Sequence, residues 1–408
     1  MNSRKFLLAC SNTMVQYFNY AIFGLSAIAL ASELMPGEEA SQQLTNFFAI
    51  IIVTVLARPI GSFIFGFIGD IIGRKLSIII AGFASSIGAL AVAFIPTYIS
   101  IGLTSSVLLI LFRMIFLGGL AGEIDGIRLY ISETVSNNRQ NFTNGIITLF
   151  TQVGAFSASV MLNFFGDKEL LYSAWRICFI IGGVLGILLS AVRIFLPESV
   201  EFMRNKSQHP STYYNITFAQ ILNGQSLLLL KTIIIFGSIG SLYQFNIIFL
   251  PALLKVDYGI NLYPFVTFFI ASYALSAPFW GYIADRAGNL IIINLISIVI
   301  ILGFIALYYT LASNIAQLLP YSIICITISM SAYSICSHIL LKKNINIGMR
   351  YRIFSLGHSI GSLVISTPTA YISTIIEKNY GIEYSVLYPA CMIALGSICS
   401  RFIAKQFK

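Results

Sequence analysis

Five ionisable residues lie inside long apolar runs of this chain: Arg58, Arg113, Glu123, Asp125 and Arg128. A charge in hydrocarbon costs roughly 2.5–3.5 kcal/mol even on the lenient insertion scale, so such groups are functional candidates by default. Their chemistry is limited to two kinds. A buried carboxylate takes up and releases a proton, and a buried guanidinium grips a carboxylate through two parallel hydrogen bonds. Asp125 and Arg128 stand three apart and can neutralise each other on one helical face. Glu123 points nearly opposite to Asp125, because two residues turn a helix by about 200°. Glu123 and Asp125 are therefore the candidates for proton coupling, with Glu123 the stronger. The alternative for Glu123 is a structural ion pair with an arginine of another helix. Arg113 and Arg58 are candidates for solute contact; the alternative for Arg113 is a permanent partner such as Glu123, though ten residues of helix separate the two by ~15 Å, and Arg58, beside a Pro-Gly pair, also suits a packing role.

Uncharged polar residues extend the set. Asn12, Gln16, Asn19, Tyr20 and Phe23 share one helical face by their i, i+3, i+4 spacing. That face lines a solute cavity or makes hydrogen bonds between helices; Gln16, Asn19 and Tyr20 are the solute-contact candidates on the first alternative. In the second half, Tyr243, Gln244 and Asn246 are the matching candidates, and His338 and His358 read as hydrogen-bonded glue between helices. No phosphate loop, metal-ligand spacing or nucleophile–base pair occurs, so neither enzymatic chemistry nor ATP hydrolysis is supported, and no cofactor or metal is expected.

The elements that hold these residues must be membrane helices. Hydrophobic residues make up 57% of 408 positions and charged ones 10%, with mean hydropathy +0.87, whereas soluble domains carry roughly 25% charged residues. Apolar runs predict spans near 6–31, 44–68, 76–95, 101–125, 142–165, 174–195, 227–250, 263–283, 290–311, 318–341, 353–376 and 385–404. The polar stretch 196–226, with Glu198, Glu201 and His209, separates a bundle over 1–195 from another over 227–408. The net charge of +9 comes from small loop clusters, which a bilayer explains better than nucleic acid does. With both termini cytoplasmic, most basic residues fall on the inner side, and only Lys168, Arg176, Lys255 and Lys378 fall outside. The six cysteines show no paired spacing. Leu7-Leu8-Ala9-Cys10 looks like a lipoprotein processing box, but the apolar stretch before it is too short, so the start reads as an uncleaved first helix.

The halves repeat. Gly66-x-x-x-Asp70-x-x-Gly73-Arg74-Lys75 sits in a tight loop between the second and third spans, and Gly281-x-x-x-Asp285-Arg286-x-Gly288 follows 215 positions later. Phe142-Thr-Asn-Gly145 is echoed by Phe354-Ser-Leu-Gly357. Charged, glycine-rich loops between packed helices suit joints that lock and release, and two like bundles suit a carrier with its site near the bilayer midplane.

The first of these loops resembles the signature between helices 2 and 3 of the major facilitator superfamily. Arg58-Pro59-x-Gly61, Arg113-Met114 through Gly122-Glu123 to Glu133, Trp175-Arg176, Pro197-Glu198-Ser199-x-x-Phe202 and Arg350-Tyr351 through Gly357 are similar to one branch of it, the metabolite:proton symporters that include proline/betaine, citrate and α-ketoglutarate transporters. Two departures stand out. That branch commonly has acids where this chain has Gln16 and Asn19, and amides do not exchange a proton near neutral pH. It also has glutamine and glycine where Phe116 and Leu117 stand here.

The resemblance implies an all-α membrane protein of twelve helices in two pseudo-symmetric six-helix bundles, in a bacterial-type inner membrane. It implies alternating-access transport of a small organic solute, a proline- or betaine-like osmolyte or an organic acid, in symport with a proton. Gly66, Asp70, Gly73, Arg74, Lys75, Gly281, Asp285, Arg286 and Gly288 would form the gates. The expected partners are that solute, a proton and the lipid bilayer, with no nucleic acid, and the expected unit is a monomer. Proton-independent facilitation or exchange, and a transport-inactive sensor or scaffold, are the alternatives. The chain runs only a few residues past its last predicted span, so regulation through a C-terminal coiled coil, as in osmosensing relatives, is not expected.

Overall fold

The computed structural model describes residues 3–37, 39–164, 168–208, 218–260, 262–313 and 315–405, and every regular element among them is helical. His209 and the rest of 209–217 lie outside the described residues. In chain order the helices are α1 (Ser3–Leu25), α2 (Ala27–Leu34), α3 (Ala40–Val55), α4 (Ala57–Ile71), α5 (Arg74–Ala93), the short α6 (Tyr98–Ile101), α7 (Leu103–Thr134), α8 (Gln140–Phe164) and α9 (Lys168–Val192). Then come α10 (Val200–Gln208), α11 (Phe218–Tyr243), α12 (Leu250–Asp257), α13 (Tyr263–Ala287), α14 (Asn289–Ala312), α15 (Leu319–Asn344), α16 (Arg350–Gly361), α17 (Thr369–Tyr380) and α18 (Leu387–Lys405). Among the described residues, 11 helices are long and apolar enough to cross a membrane, or up to 12 when the α1–α2 pair counts as one span.

That pair departs from the continuous first span the sequence predicts: it bends by 66°. The break falls at Ser26, two residues after Gly24, and glycine and serine are residues at which helices kink. Two other spans carry π-helical turns, Gln244–Phe249 between α11 and α12 and Ser362–Ser366 after α16. Each stands just before a proline, Pro251 or Pro368. Proline lacks the N–H of the regular ladder and its ring crowds the carbonyl four residues back, so a wider turn relieves both conflicts. The polar stretch 196–226 is shorter in the structure, since α10 forms inside it and α11 starts at Phe218.

Two compact units result: Met1–Thr134 with Phe150–Tyr213, and Val135–Leu149 with Tyr214–Lys408. The first turns of α8 thus belong with the second unit. Each unit has its own apolar core. In the first, Phe23 stacks on Phe47 at 5.1 Å between ring centroids, with Phe116, Leu120 and Trp175 buried around them. In the second, Phe245 packs edge-on against Phe304 at 5.9 Å within a cluster that includes Leu250, Ile300 and Tyr333. Ile28, Leu275 and Leu302 are instead exposed, as expected of side chains that meet lipid tails.

Small residues set the helix spacing, as in bilayer packing generally. A Cβ on Gly61 of α4 would collide with the Gly118 carbonyl of α7, and one on Gly119 would lie 2.7 Å from the Ala81 carbonyl oxygen of α5. Because backbone cannot swing aside, Gly119→Leu is expected to cost at least the ~1–3 kcal/mol typical of overpacking. Thermal unfolding of the purified variant in detergent measures this, and an unchanged midpoint would refute the close packing of α5 on α7.

Candidate functional site

The long α7 supplies most of the site in the first unit. Every residue from Phe116 to Glu133 is buried, so its charges must find partners inside the protein. Glu133, near its end, meets the loop between α4 and α5. Arg74 Nη1 donates to Asp70 Oδ1 at 2.8 Å, and its Nε donates to Glu133 Oε2 at 3.2 Å. All three side chains are fully buried. Ser199 Oγ donates to the same Glu133 oxygen at 2.7 Å, and the Phe202 ring lies 4.9 Å from the Arg74 guanidinium carbon.

The segment before α10 covers the loop. Glu198 Oε1 accepts from the backbone N–H of Lys75 at 3.0 Å and of Ser199 at 2.8 Å. Its carboxylate lies in the space a Cβ on Gly73 would take. Tyr130 of α7 donates to the Pro197 carbonyl at 2.7 Å. Loop, α7 and the Pro197–Phe202 segment are one ionic cluster, tied by side chains that lie far apart in sequence. Gly66 is buried in α4 one turn before Asp70, whereas Lys75 joins only through its backbone among these bonds.

The repeated loop in the second unit is built differently. Asp285 Oδ1 accepts from the backbone N–H and from the side-chain Nδ2 of Asn141, both at 2.9 Å, and its Oδ2 accepts from the Phe142 N–H at 2.9 Å. A carboxylate on the first N–H groups of α8 is favoured by the partial positive charge of a helix start. Asn141 Nδ2 also donates to Asn289 Oδ1 at 2.8 Å. Asn289, four positions after Asp285, occupies the repeat position of Arg74; Arg286 does not. Arg286 is exposed and stacks on the Tyr282 ring at 4.1 Å. Gly281 lies against the Asn141 carbonyl, where a Cβ would come within 2.5 Å, and Gly288 adopts φ +91°, a conformation that favours glycine.

Glu123 forms an ion pair with an arginine from another helix. Its Oε1 accepts from Arg193 Nη2 at 2.8 Å and from Thr13 Oγ1 at 3.0 Å, and Glu123 and Arg193 are both fully buried. Arg193, just after α9, also reaches the Ala9 carbonyl of α1. Glu123 Oε2 has no hydrogen-bond partner. Arg193 is one of the basic residues assigned to the inner side by charge, and the signal for a second role is its place within the apolar run Leu188–Leu196. Asp125 and Arg128 lie buried on the same helix.

The α1 residues divide. Gln16 donates to Ser86 of α5 at 2.8 Å and Asn12 to Ser190 of α9 at 3.2 Å, while Asn19 presses on Gly182 of α9. Gln16 and Asn19 are fully buried inside the first unit, the arrangement of the second of the two readings, hydrogen bonding and packing between helices. Tyr20 is 43% exposed. It belongs to a different group, the aromatic rings around Arg113. The Arg113 guanidinium carbon lies 3.7 Å from the Phe23 centroid, 4.9 Å from that of Phe116 and 5.4 Å from that of Tyr20. Arg58, half-buried one turn before Gly61, is close enough to act on Arg113 electrostatically.

In the second unit, Tyr243 stacks edge-on with Tyr273 at 6.2 Å, beside a half-buried Gln244. Asn246 is fully buried and donates back to the Leu242 carbonyl at 2.9 Å, an interior role for a predicted solute contact. His338 and His358 flank Phe236 at 5.0 and 4.7 Å between centroids. Among the described residues no cluster of three or more His, Cys, Asp or Glu could hold a metal.

The family model described as Major Facilitator Superfamily matches residues 9–367. The chain is 24% identical over 410 residues to the inner membrane metabolite transport protein YhjE of Escherichia coli K12, covering 97% of this chain and 93% of that one. It is 29% identical over 213 residues to a putative proline/betaine transporter of Staphylococcus aureus strain COL, about half of each chain (51% and 46%). The solved structure of the proton:xylose symporter XylE bound to 6-bromo-6-deoxy-D-glucose shares its fold, with TM-score 0.74 at 14% identity over 97% of this chain and 94% of that one. The chain therefore belongs to the Major Facilitator Superfamily, and it is a multi-pass plasma-membrane transporter of small solutes rather than an enzyme.

Proposed function

We propose that this protein carries a small organic solute, of the proline/betaine or organic-acid class, by alternating access in symport with a proton held on Glu123. The carrying observation is the state of that carboxylate: fully buried, with one oxygen held by Arg193 and Thr13 and the other without a partner. A proton added to the open oxygen would remove the charge that holds Arg193, and with it a link from α7 to α1. The Asp70–Arg74–Glu133 cluster and the Asp285–Asn141 cap serve as the gates, with Lys75, Arg286, Gly66, Gly73, Gly281 and Gly288 shaping their loops. Such contacts shift a two-state equilibrium only if they are stronger in one state than the other. Both termini face the cytoplasm on this reading, in keeping with the distribution of basic residues. The names of the similar proteins support the solute class.

Proton-independent facilitation or exchange has its own support: the Glu123 carboxylate already has a cation, and Gln16 and Asn19 cannot exchange a proton. Liposome uptake decides. With proton symport, an inward-acid pH gradient alone reverses or abolishes accumulation while an outward-acid one drives it, and Glu123→Gln keeps downhill flux but loses that drive. A variant that still accumulates solute in full response to the gradient would remove Glu123 from the coupling. Saturable binding without flux would instead identify a sensor.

A further inference from the structure

We propose that Arg113 is the anion-holding residue of the solute site, and that the solute is a net-negative carboxylate rather than a zwitterion such as proline or betaine. This rests on the transport reading above and narrows its solute class.

Arg113 is 6% exposed, yet among the described residues none pairs with it through a carboxylate or accepts a hydrogen bond from it. Its neighbours are the faces of Phe23, Phe116 and Tyr20. Ring faces attract a cation but offer no in-plane acceptor for a guanidinium, which carries five N–H donors in a fixed fork. Nearby Arg58 adds a second positive charge. The paired carboxylates of the unit are committed elsewhere, Glu123 to Arg193, Asp70 and Glu133 to Arg74 and Glu33 to Arg176, and Asp125 stands twelve residues further along α7, about 18 Å along the axis. A buried fork with a positive neighbour and an unfilled set of donors matches a planar carboxylate from outside the chain.

Its position fits a solute site. Arg113 stands ten residues into α7, about 15 Å along a helix axis, or about half the hydrocarbon thickness. Carrier sites lie near that depth. Tyr20, exposed at its edge, opens the ring cluster to the surface of the unit.

The same cluster argues against a cationic head group. Quaternary ammonium groups are held in aromatic cages, and here a guanidinium already sits against the three rings. On α1, the residues that could have met a cation are the amides Gln16 and Asn19, turned into the packing. Replacing the branch's glutamine by Phe116 removes an acceptor one turn from Arg113 and leaves its donors for the solute.

The test uses the full-length purified protein and radiolabelled lactate, succinate and citrate, with proline and glycine betaine as competitors, in a scintillation proximity binding assay. The expected result is saturable binding of at least one of the three carboxylates, not displaced by either zwitterion. Arg113→Gln is expected to weaken it roughly tenfold or more, and Arg113→Lys, which keeps charge but loses the fork, to weaken it less. Phe116→Glu places an internal carboxylate one turn away, so it should fold and lose carboxylate binding even where Arg113→Gln does not fold. No carboxylate binding, preferential zwitterion binding, or wild-type carboxylate affinity in Phe116→Glu would overturn the assignment. Carboxylate binding without flux into liposomes would overturn the transport reading and leave the assignment of Arg113 standing.

Discussion

Arg74→Ala is expected to destabilise the first unit by about 3–5 kcal/mol, the loss seen when one partner of a buried ion pair is removed, and to abolish solute uptake. Its guanidinium is the shared cation of two buried carboxylates, Asp70 and Glu133. Deleting it leaves two like charges on facing helices in a region with no solvent exposure. Arg74→Lys retains the charge but cannot place parallel N–H groups on both acids, so its loss should be intermediate. Asp70→Asn removes only one of the two carboxylates; it should insert normally and lose transport if the cluster is a gate. Thermal unfolding in detergent and uptake in liposomes separate these effects. An Arg74→Ala variant that unfolds at the wild-type temperature would show that the cluster holds nothing together, and normal uptake by a folded Asp70→Asn would end the gate assignment.

The two repeated loops neutralise their aspartates with different chemistry. In the first, a guanidinium joins Asp70 on α4 to Glu133 on α7. In the second, Asp285 is neutralised by N–H groups at the start of α8, and Asn289 stands where an arginine would repeat. The helix start supplies fixed partial charge and needs no long side chain to be ordered. The second cap is thus less exposed to loss of any single cation.

What was legible in the sequence follows the range of the forces involved. Spans are written as apolar runs, and the Asp70 and Asp285 loops are written as short local patterns, so both could be read directly. The bend at Ser26 was harder, because Gly24 and Ser26 permit a kink without requiring one. The partners in pairings between distant positions were not legible: an ion pair of Glu123 with an arginine of another helix was one reading, but that the arginine is Arg193, 70 residues away, and that Glu133 meets Arg74 across 59, was not. Helical periodicity placed Asn12, Gln16 and Asn19 together on one face but could not say which neighbour that face meets. In a membrane protein a polar face turns inward to other helices as readily as to a cavity, since either takes it out of lipid. Asn289, at the 215-residue repeat position of Arg74, could have been found from the repeat itself, but an uncharged residue gives no signal of its own.

Arg193→Met should be the second large loss, again about 3–5 kcal/mol, since it strands a fully buried Glu123 carboxylate. The outcome of the double variant carries more information than the single one. Replacing both members of a buried ion pair by groups that need no partner is often neutral or stabilising, so Arg193→Met with Glu123→Gln should regain most of the lost thermal stability. If the pair serves only packing, the double variant should also regain wild-type uptake, driven by a pH gradient as before. If Glu123 carries the coupled proton, stability and coupling part company: the double variant folds, moves solute downhill and ignores the pH gradient. A double variant that remains as unstable as Arg193→Met would mean that Arg193 is needed for its bonds to α1, through the Ala9 carbonyl, more than for its charge on Glu123.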